Sequence, residues 1–193
     1  MAKKSEKPRN EEIFEVISRM FAEKGYLETT MRDIAAELDI KPPSLYNYFR
    51  SKEEALFILL NDSVDSALRR IREITSMDIP AKDKLSKFIE LYTYSYGTKM
   101  PGPILLLYYV DKLTKKHQRV LINKQRKYAD EVNSILLELR EDGLMKEIPS
   151  KIALYAFFGM VNYTIKWYRQ SGDVRPKELA DYFLEIYTKG ILK

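Results

Sequence analysis

The chain of 193 residues contains no cysteine, which excludes disulfides, thiolate nucleophiles and Cys-ligated metals. Histidine occurs once, at His117; without a companion it reads as a surface or phosphate-contact residue rather than a base. Glutamine is sparse. No run of eighteen apolar residues occurs, so no membrane span is expected. The opening MAKKSEKPRNEE lacks an apolar h-region, so no secretory signal is expected. Gly-x-Ser-x-Gly, P-loop and His-Glu-x-x-His patterns are also missing, and no carboxylate or tyrosine pair stands out as acid–base machinery. These absences argue against an enzyme and against a bound cofactor or metal. They point to a cytoplasmic protein.

What is present suits a globular fold. Hydrophobic residues make up 45% and charged residues 32%, enough for one or two domains around a sizeable core. The net charge of +5 favours an anionic partner without establishing one. Residues 1–52 hold ten basic and nine acidic side chains, so bulk charge alone does not mark this segment as a nucleic-acid binder.

Helical periodicity dominates. A first segment runs from Pro8 to Lys24, with Ile13, Val16, Ile17, Met20 and Phe21 as its apolar face and Gly25 as its C-terminal cap. Two short helices follow, Met31–Leu38 and Pro42–Tyr48. A long fourth helix begins at Ser51, with Glu54 three residues on in a capping-box pattern, and reaches Thr75. A fifth spans Lys82–Lys99. Met100-Pro-Gly-Pro103 is read as a firm stop. A short apolar sixth helix is expected over Ile104–Leu113, a seventh over Lys115–Asp142, an eighth from Pro149 to Gln170 and a ninth from Pro176 to near the C-terminus. The expectation is an all-α fold of nine helices. A division is expected into residues 1–52 and 53–193, with the fourth helix serving both parts.

The most informative stretch is GYLETTMRDIAAELDIKPPSLYNYFRSKE, residues 25–53. Two short helices joined by the three-residue turn Asp39-Ile40-Lys41 are helix-turn-helix geometry, whose second helix enters the DNA major groove. Ile34, Ala35, Leu38, Leu45 and Phe49 face inward. Thr29 or Thr30 caps the first short helix, where free N–H groups suit a phosphate. Arg32 reaches the backbone or a base edge. Pro42 and Pro43 occupy a first turn that tolerates proline. Thr30, Tyr48 and Lys52 are assigned to phosphate positioning. Lys41, Ser44, Tyr46 and Asn47 are assigned to base reading. In order and spacing, the Gly-aromatic, Thr-Thr, Ile-Ala, Leu-Tyr-x-Tyr-Phe and Lys-Glu elements of residues 10–55 resemble the TetR family of transcriptional regulators. Two positions depart from the family pattern. Asp39 stands where a turn glycine is usual, and Lys41 where a capping serine is usual.

The resemblance implies a homodimeric repressor on a palindromic double-stranded operator, released when an effector in the C-terminal helices moves the heads out of register. The eighth and ninth helices are the expected dimer pair: residues 152–167 are apolar nearly all round, and Gly159 lies mid-helix where another helix could cross. A pocket wall is assigned to Phe88, Tyr92 and Tyr96, to Leu106, Tyr109 and Val110, and to Tyr163 and Trp167. Fourteen tyrosines suit an apolar wall ending in hydroxyls. Lys112, Lys115, Lys116, Arg119, Asn123 and Arg126 recur at helical steps as a basic stripe. Placed beside an apolar tunnel, that stripe would suit an acyl-coenzyme A. The junction WYRQSGDVRPKELADYF resembles that of family members responding to fatty acids and related acyl-CoA metabolites. The competing reading is a multidrug regulator with an aromatic ligand, for which Glu90 and Asp111 are the nearest carboxylates. A plain solvated face remains open for the stripe.

Overall fold

The computed structural model describes residues 9–193; the expected helix start at Pro8 lies outside them. The chain is helical: α1 Arg9–Glu23, α2 Met31–Glu37, α3 Pro42–Leu45, α4 Lys52–Thr75, α5 Ala81–Gly97, α6 Pro101–Tyr109, a 3-10 turn Val110–Lys112, α7 Lys115–Glu141, α8 Ser150–Asn162, α9 Thr164–Trp167 and α10 Pro176–Ile191. No strand occurs among the described residues; one antiparallel bridge joins Met145 to Leu192. No helix among them is long and apolar enough to cross a membrane.

Two expected boundaries move. The Pro-Gly-Pro run does not separate two helices. It opens α6, because proline at the first helical position lacks only an N–H that has no intrahelical partner. The chain turns earlier, at Lys99, whose φ is 52°. The expected eighth helix breaks after Asn162, so α8 and the short α9 together fill its place. At the break Thr164, buried and β-branched, donates its hydroxyl to the Val161 carbonyl at 2.7 Å. This back-bonding bends helices.

The chain divides into two compact units. One holds the residues up to Ser63 with Pro101–Leu121, and the other holds Val64–Met100 with Ile122–Lys193. The division falls inside α4 and inside α7, so α6 and the start of α7 belong with the helix-turn-helix, which a single cut at residue 52 does not capture.

In the first unit Ile13, Ile17 and Phe21 recur every fourth residue on α1 and are buried, as are Ile34, Ala35, Leu45, Phe49, Leu56 and Leu60. Gly25, at φ 101°, ends the α1 region in the left-handed conformation. Phe21 meets Tyr26 edge to face at 5.1 Å, and Tyr109 of α6 covers Tyr26 at 5.6 Å. In the second unit α5 packs along α10. A Cβ on Gly97 would come within 3.3 Å of Pro176, so the glycine lets the start of α10 close on α5. Lys146 donates its N–H to Ile191 O at 2.8 Å, and Lys193 its N–H to Leu144 O at 3.0 Å, tying the C-terminal residues to the α7–α8 connection.

Gly102 sets how closely α6 approaches α4. A methyl group there would lie 2.2 Å from Ser63 Oγ and 2.7 Å from Ser63 Cβ. Gly102→Ala is therefore expected to destabilise the protein by about 1–3 kcal/mol, the usual cost of overpacking. In a thermal melt this is a loss of several degrees, restored by pairing the change with Ser63→Gly. An unchanged midpoint in the single variant would show that α6 shifts without cost.

Candidate nucleic-acid interface and effector interior

Local chemistry builds the reading head. Thr30 is the N-cap of α2: its hydroxyl accepts the Asp33 N–H at 3.1 Å, and the Asp33 carboxylate accepts the Thr30 N–H at 2.8 Å. Lys24 adds an ion pair to Asp33 at 2.9 Å. The Lys24 ammonium foremost, with the Thr30 N–H and hydroxyl, holds the Asp33 carboxyl at about 2. Helix α2 ends in a Schellman motif: Ile40 N–H donates to Ala35 O at 3.0 Å and Asp39 N–H to Ala36 O at 3.2 Å. Asp39 stands at φ 52°, the left-handed position for which its side chain is among the better tolerated. This turn points α3 away from α2.

Lys41 is the N-cap of α3 and makes no side-chain capping bond, leaving its ammonium exposed. The α-helix is shorter than expected and stops at Leu45. The N–H groups of Tyr46, Asn47 and Tyr48 then donate to carbonyls three residues back. Pro42 and Pro43 supply no donors, and so short a segment gains little from helical cooperativity. Leu45 and Phe49 anchor it from beneath. Arg32, Lys41, Pro42, Tyr46 and Asn47 are exposed, while Ser44 and Tyr48 are half-buried. Tyr46, at 53% exposed, is a large aromatic held open to solvent.

Two assigned DNA contacts belong elsewhere. Thr29 is fully buried, and its hydroxyl donates to Gly25 O at 2.7 Å. It fixes the α1–α2 loop and touches no surface. Lys52 directs Nζ to three carbonyls, Tyr26 at 2.8 Å, Thr29 at 3.0 Å and Leu27 at 3.3 Å, and lies over the Tyr26 ring at 4.4 Å. Its donors hold the α1–α2 loop instead of a phosphate.

The second unit contains an aromatic interior. Phe88, Tyr92 and Tyr96 project from α5 as expected. They meet three residues that sequence patterning did not place there: Tyr128 of α7 and Phe157 and Phe158 of α8. Ring centroids lie 5.0 Å apart for Phe88–Phe157, 5.2 Å for Tyr92–Phe158 and 6.3 Å for Tyr92–Tyr128. Tyr92 donates to Asn162 Oδ1 at 2.8 Å. Burial pushes the phenols of Tyr92, Tyr96 and Tyr128 above their ordinary range, so they remain protonated donors. Asn162, a lone amide ending an apolar helix, was the sequence signal for this interior. Thr93 Oγ1 and Asn133 Oδ1 are buried elsewhere on α5 and α7 without a protein hydrogen-bond partner.

Other assigned wall residues do not join this interior. Tyr163 and Trp167 are 65% and 50% exposed; they follow Tyr155 and Gly159 at four-residue steps, on the exposed side of the helix. Leu106, Tyr109 and Val110 belong to the first unit, where Tyr109 covers Tyr26. The basic stripe faces solvent: Lys115, Lys116, Arg119, Asn123 and Arg126 are all exposed. Asn123 and Arg126 leave α7 on the side opposite Tyr128, Val132 and Ile135, the residues α7 buries in the second unit. The stripe is thus a solvated face. Glu90 is exposed, and Asp111 is exposed and paired with Lys112 at 2.8 Å, so neither supplies a buried anion for a cationic drug.

For the head, Tyr46→Ala and Asn47→Ala are expected to erase sequence preference in DNA-binding assays while leaving the melting temperature within about a degree or two, since both side chains are exposed. Lys52→Ala should do the reverse, lowering the melting temperature by several degrees because three carbonyls lose their donor. A Lys52→Ala protein that melts normally but loses about one unit of salt slope would return Lys52 to the phosphates.

Comparison with known proteins agrees with this geometry. Residues 13–57 match the family described as bacterial regulatory proteins, tetR family, and residues 78–191 match the tetracyclin repressor-like C-terminal domain. The HTH-type transcriptional repressor KstR2 of Rhodococcus jostii (strain RHA1) is 26% identical over 192 residues, covering 95% of this chain and 91% of the relative. The fatty acid metabolism regulator protein of Bacillus subtilis (strain 168) is 24% identical over 194 residues, covering 97% and 98%. The crystal structure of AibR in complex with isovaleryl coenzyme A and operator DNA superposes with a TM-score of 0.85 at 21% identity, covering 92% of this chain and 97% of that one. With both halves of the chain matched and the helix-turn-helix in place, the protein belongs to the TetR family of DNA-binding transcriptional repressors.

Proposed function

We propose that this repressor acts as a homodimer on a near-palindromic operator and is released by a hydrophobic acyl thioester, best represented by a long-chain acyl-CoA. The observation that carries the effector assignment is the aromatic interior of the second unit. Its rings offer apolar area, and its hydroxyl and amide groups suit a neutral ligand with a hydrogen-bonding carbonyl. The relatives named for fatty-acid metabolism and for an isovaleryl-coenzyme A complex support the same ligand class. Release follows from population shift: only a ligand that prefers the splayed state lowers DNA affinity.

The dimer assignment is supported by an exposed apolar face. Ile152 and Tyr155 on α8 are each 63% exposed, and Tyr182 and Ile186 on α10 are 55% and 60% exposed. A Cβ on Gly159 would meet nothing within 4 Å, which leaves room for a close helix crossing. Pairing this face across a two-fold axis makes a four-helix bundle. Dimeric helix-turn-helix proteins read half-sites about one DNA turn apart, roughly 34–36 Å, the spacing expected of the operator.

The effector is tested by titrating the repressor on its own promoter region with hexadecanoyl-CoA, isovaleryl-CoA and free hexadecanoate. Release by an acyl-CoA with the free acid inactive is the expected result; DNA binding indifferent to every thioester would end the acyl-CoA reading. Because the basic stripe is solvated, Lys115→Ala and Arg126→Ala should change ligand affinity by no more than about threefold, in the range of an exposed charge. For the dimer, Tyr155→Arg combined with Ile186→Arg is expected to give a monomer in sedimentation and to weaken DNA binding. A variant that still sediments as a dimer would move the interface elsewhere.

A further inference from the structure

The first turn of α4 carries three charged residues in succession, and each holds a different segment of the first unit. Lys52 takes the three carbonyls of the α1–α2 loop. Glu54 accepts the backbone N–H of Arg50, at the end of the recognition segment. Glu53 turns toward the start of α7: its Oε1 accepts the Thr114 N–H at 2.8 Å and lies 2.9 Å from Nδ1 of His117. One turn further along α4, the Phe57 ring stacks on the imidazole at 3.8 Å with planes 6° apart. Thr114 in turn accepts the His117 N–H on its hydroxyl at 3.3 Å, so the capped end of α7 is the object being held. The side chains of Glu53 and His117 are each only 22% exposed. Burial works against the Glu53 charge, but the Thr114 N–H and the imidazole outweigh it and keep the carboxyl below its usual range.

We propose that Glu53 and His117 are positioning residues for DNA reading: the start of α7, seated on the Glu53 carboxylate and the Phe57 ring, sets the α4 turn from which the recognition segment and the α1–α2 loop are held. The function rests on the repressor reading, but neither residue touches DNA. Imidazole is the side chain whose charge changes between about pH 5 and 8. A protonated ring pairs with the carboxylate, so the seat tightens as pH falls. Competing charges nearby are engaged elsewhere or point outward: Lys52 on its carbonyls, Glu54 on Arg50, Lys112 on Asp111, Lys115 on Gln118, and Lys116 in solvent. The Tyr26 phenol, raised by burial and by the Glu53 charge, stays neutral across this range.

The test uses the full chain and a DNA duplex enriched by the wild-type protein from a random pool, with affinities measured at pH 6 and pH 8. His117→Ala is expected to weaken binding about five- to tenfold, the scale of one lost hydrogen bond. His117→Asn, whose amide donor stands where Nδ1 does, should restore pH 8 affinity to within about twofold. It should also abolish the gain that wild type shows at pH 6. Glu53→Gln, which still accepts the Thr114 N–H, should likewise flatten the profile; if His117→Ala does not fold, this variant decides. Salt slopes should match wild type throughout. Wild-type affinity and pH response in His117→Ala or Glu53→Gln would overturn the proposal. So would a slope lower by about one in His117→Ala, which would place the imidazole on a phosphate. Failure of the wild type to enrich any duplex would remove the repressor reading as well, and so is distinct from failure of the latch alone.

Discussion

The reading head depends on how little of its own structure is regular. Helix α3 has four residues and α2 seven, lengths at which an isolated helix has almost no stability. Their geometry is therefore imposed from outside, and the largest imposed constraint is the clamp at the start of α4. Lys52 reaches back more than twenty residues to gather the carbonyls of Tyr26, Leu27 and Thr29. Those carbonyls lie in the loop that delivers Thr30 to its capping position. The cap then starts α2, the Schellman turn at Asp39 ends it, and the direction of α3 follows.

The second unit obeys a different rule. Its core is a continuous cluster that includes Ile71, Leu85, Phe88, Leu136, Phe157 and Tyr187, and its polar groups are few and specific. Lys84 is nearly buried and is compensated by both oxygens of Glu138, each at 3.1 Å. Removing one partner of such a pair costs more than the pair contributes, so its role is to fix the register of α5 against α7. The Tyr92–Asn162 bond does the same for α5 against α8. The rings pack against one another within this core, with centroids 5.0 to 6.3 Å apart.

Which features were legible in the sequence depended on how local they are. The Thr30 cap, the left-handed Asp39, the prolines opening α3 and the inward Leu45 and Phe49 each follow from a residue and its near neighbours, and all stand where the pattern put them. The errors share a cause. Thr29 and Lys52 were given to DNA because their sequence neighbours read DNA. Their partners, Gly25 in one case and a loop over twenty residues away in the other, are set by tertiary packing. The basic stripe had the right period, but period does not say which face of α7 is buried. That was decided by Tyr128, Val132 and Ile135 on the opposite side. Tyr163 and Trp167 share a helical face with the exposed Tyr155 and Gly159, so apolar character alone assigned them to the interior.

Three cations of the first unit are engaged within the protein: Arg19 with Glu37, Lys24 with Asp33, and Lys52 with backbone. Arg32, Lys41 and Arg50 form no ion pair among the described residues. Non-specific attachment to DNA scales with the phosphates a protein neutralises, so the three cations spent on holding the fold add little to it; what they secure instead is the geometry of the segment that reads bases.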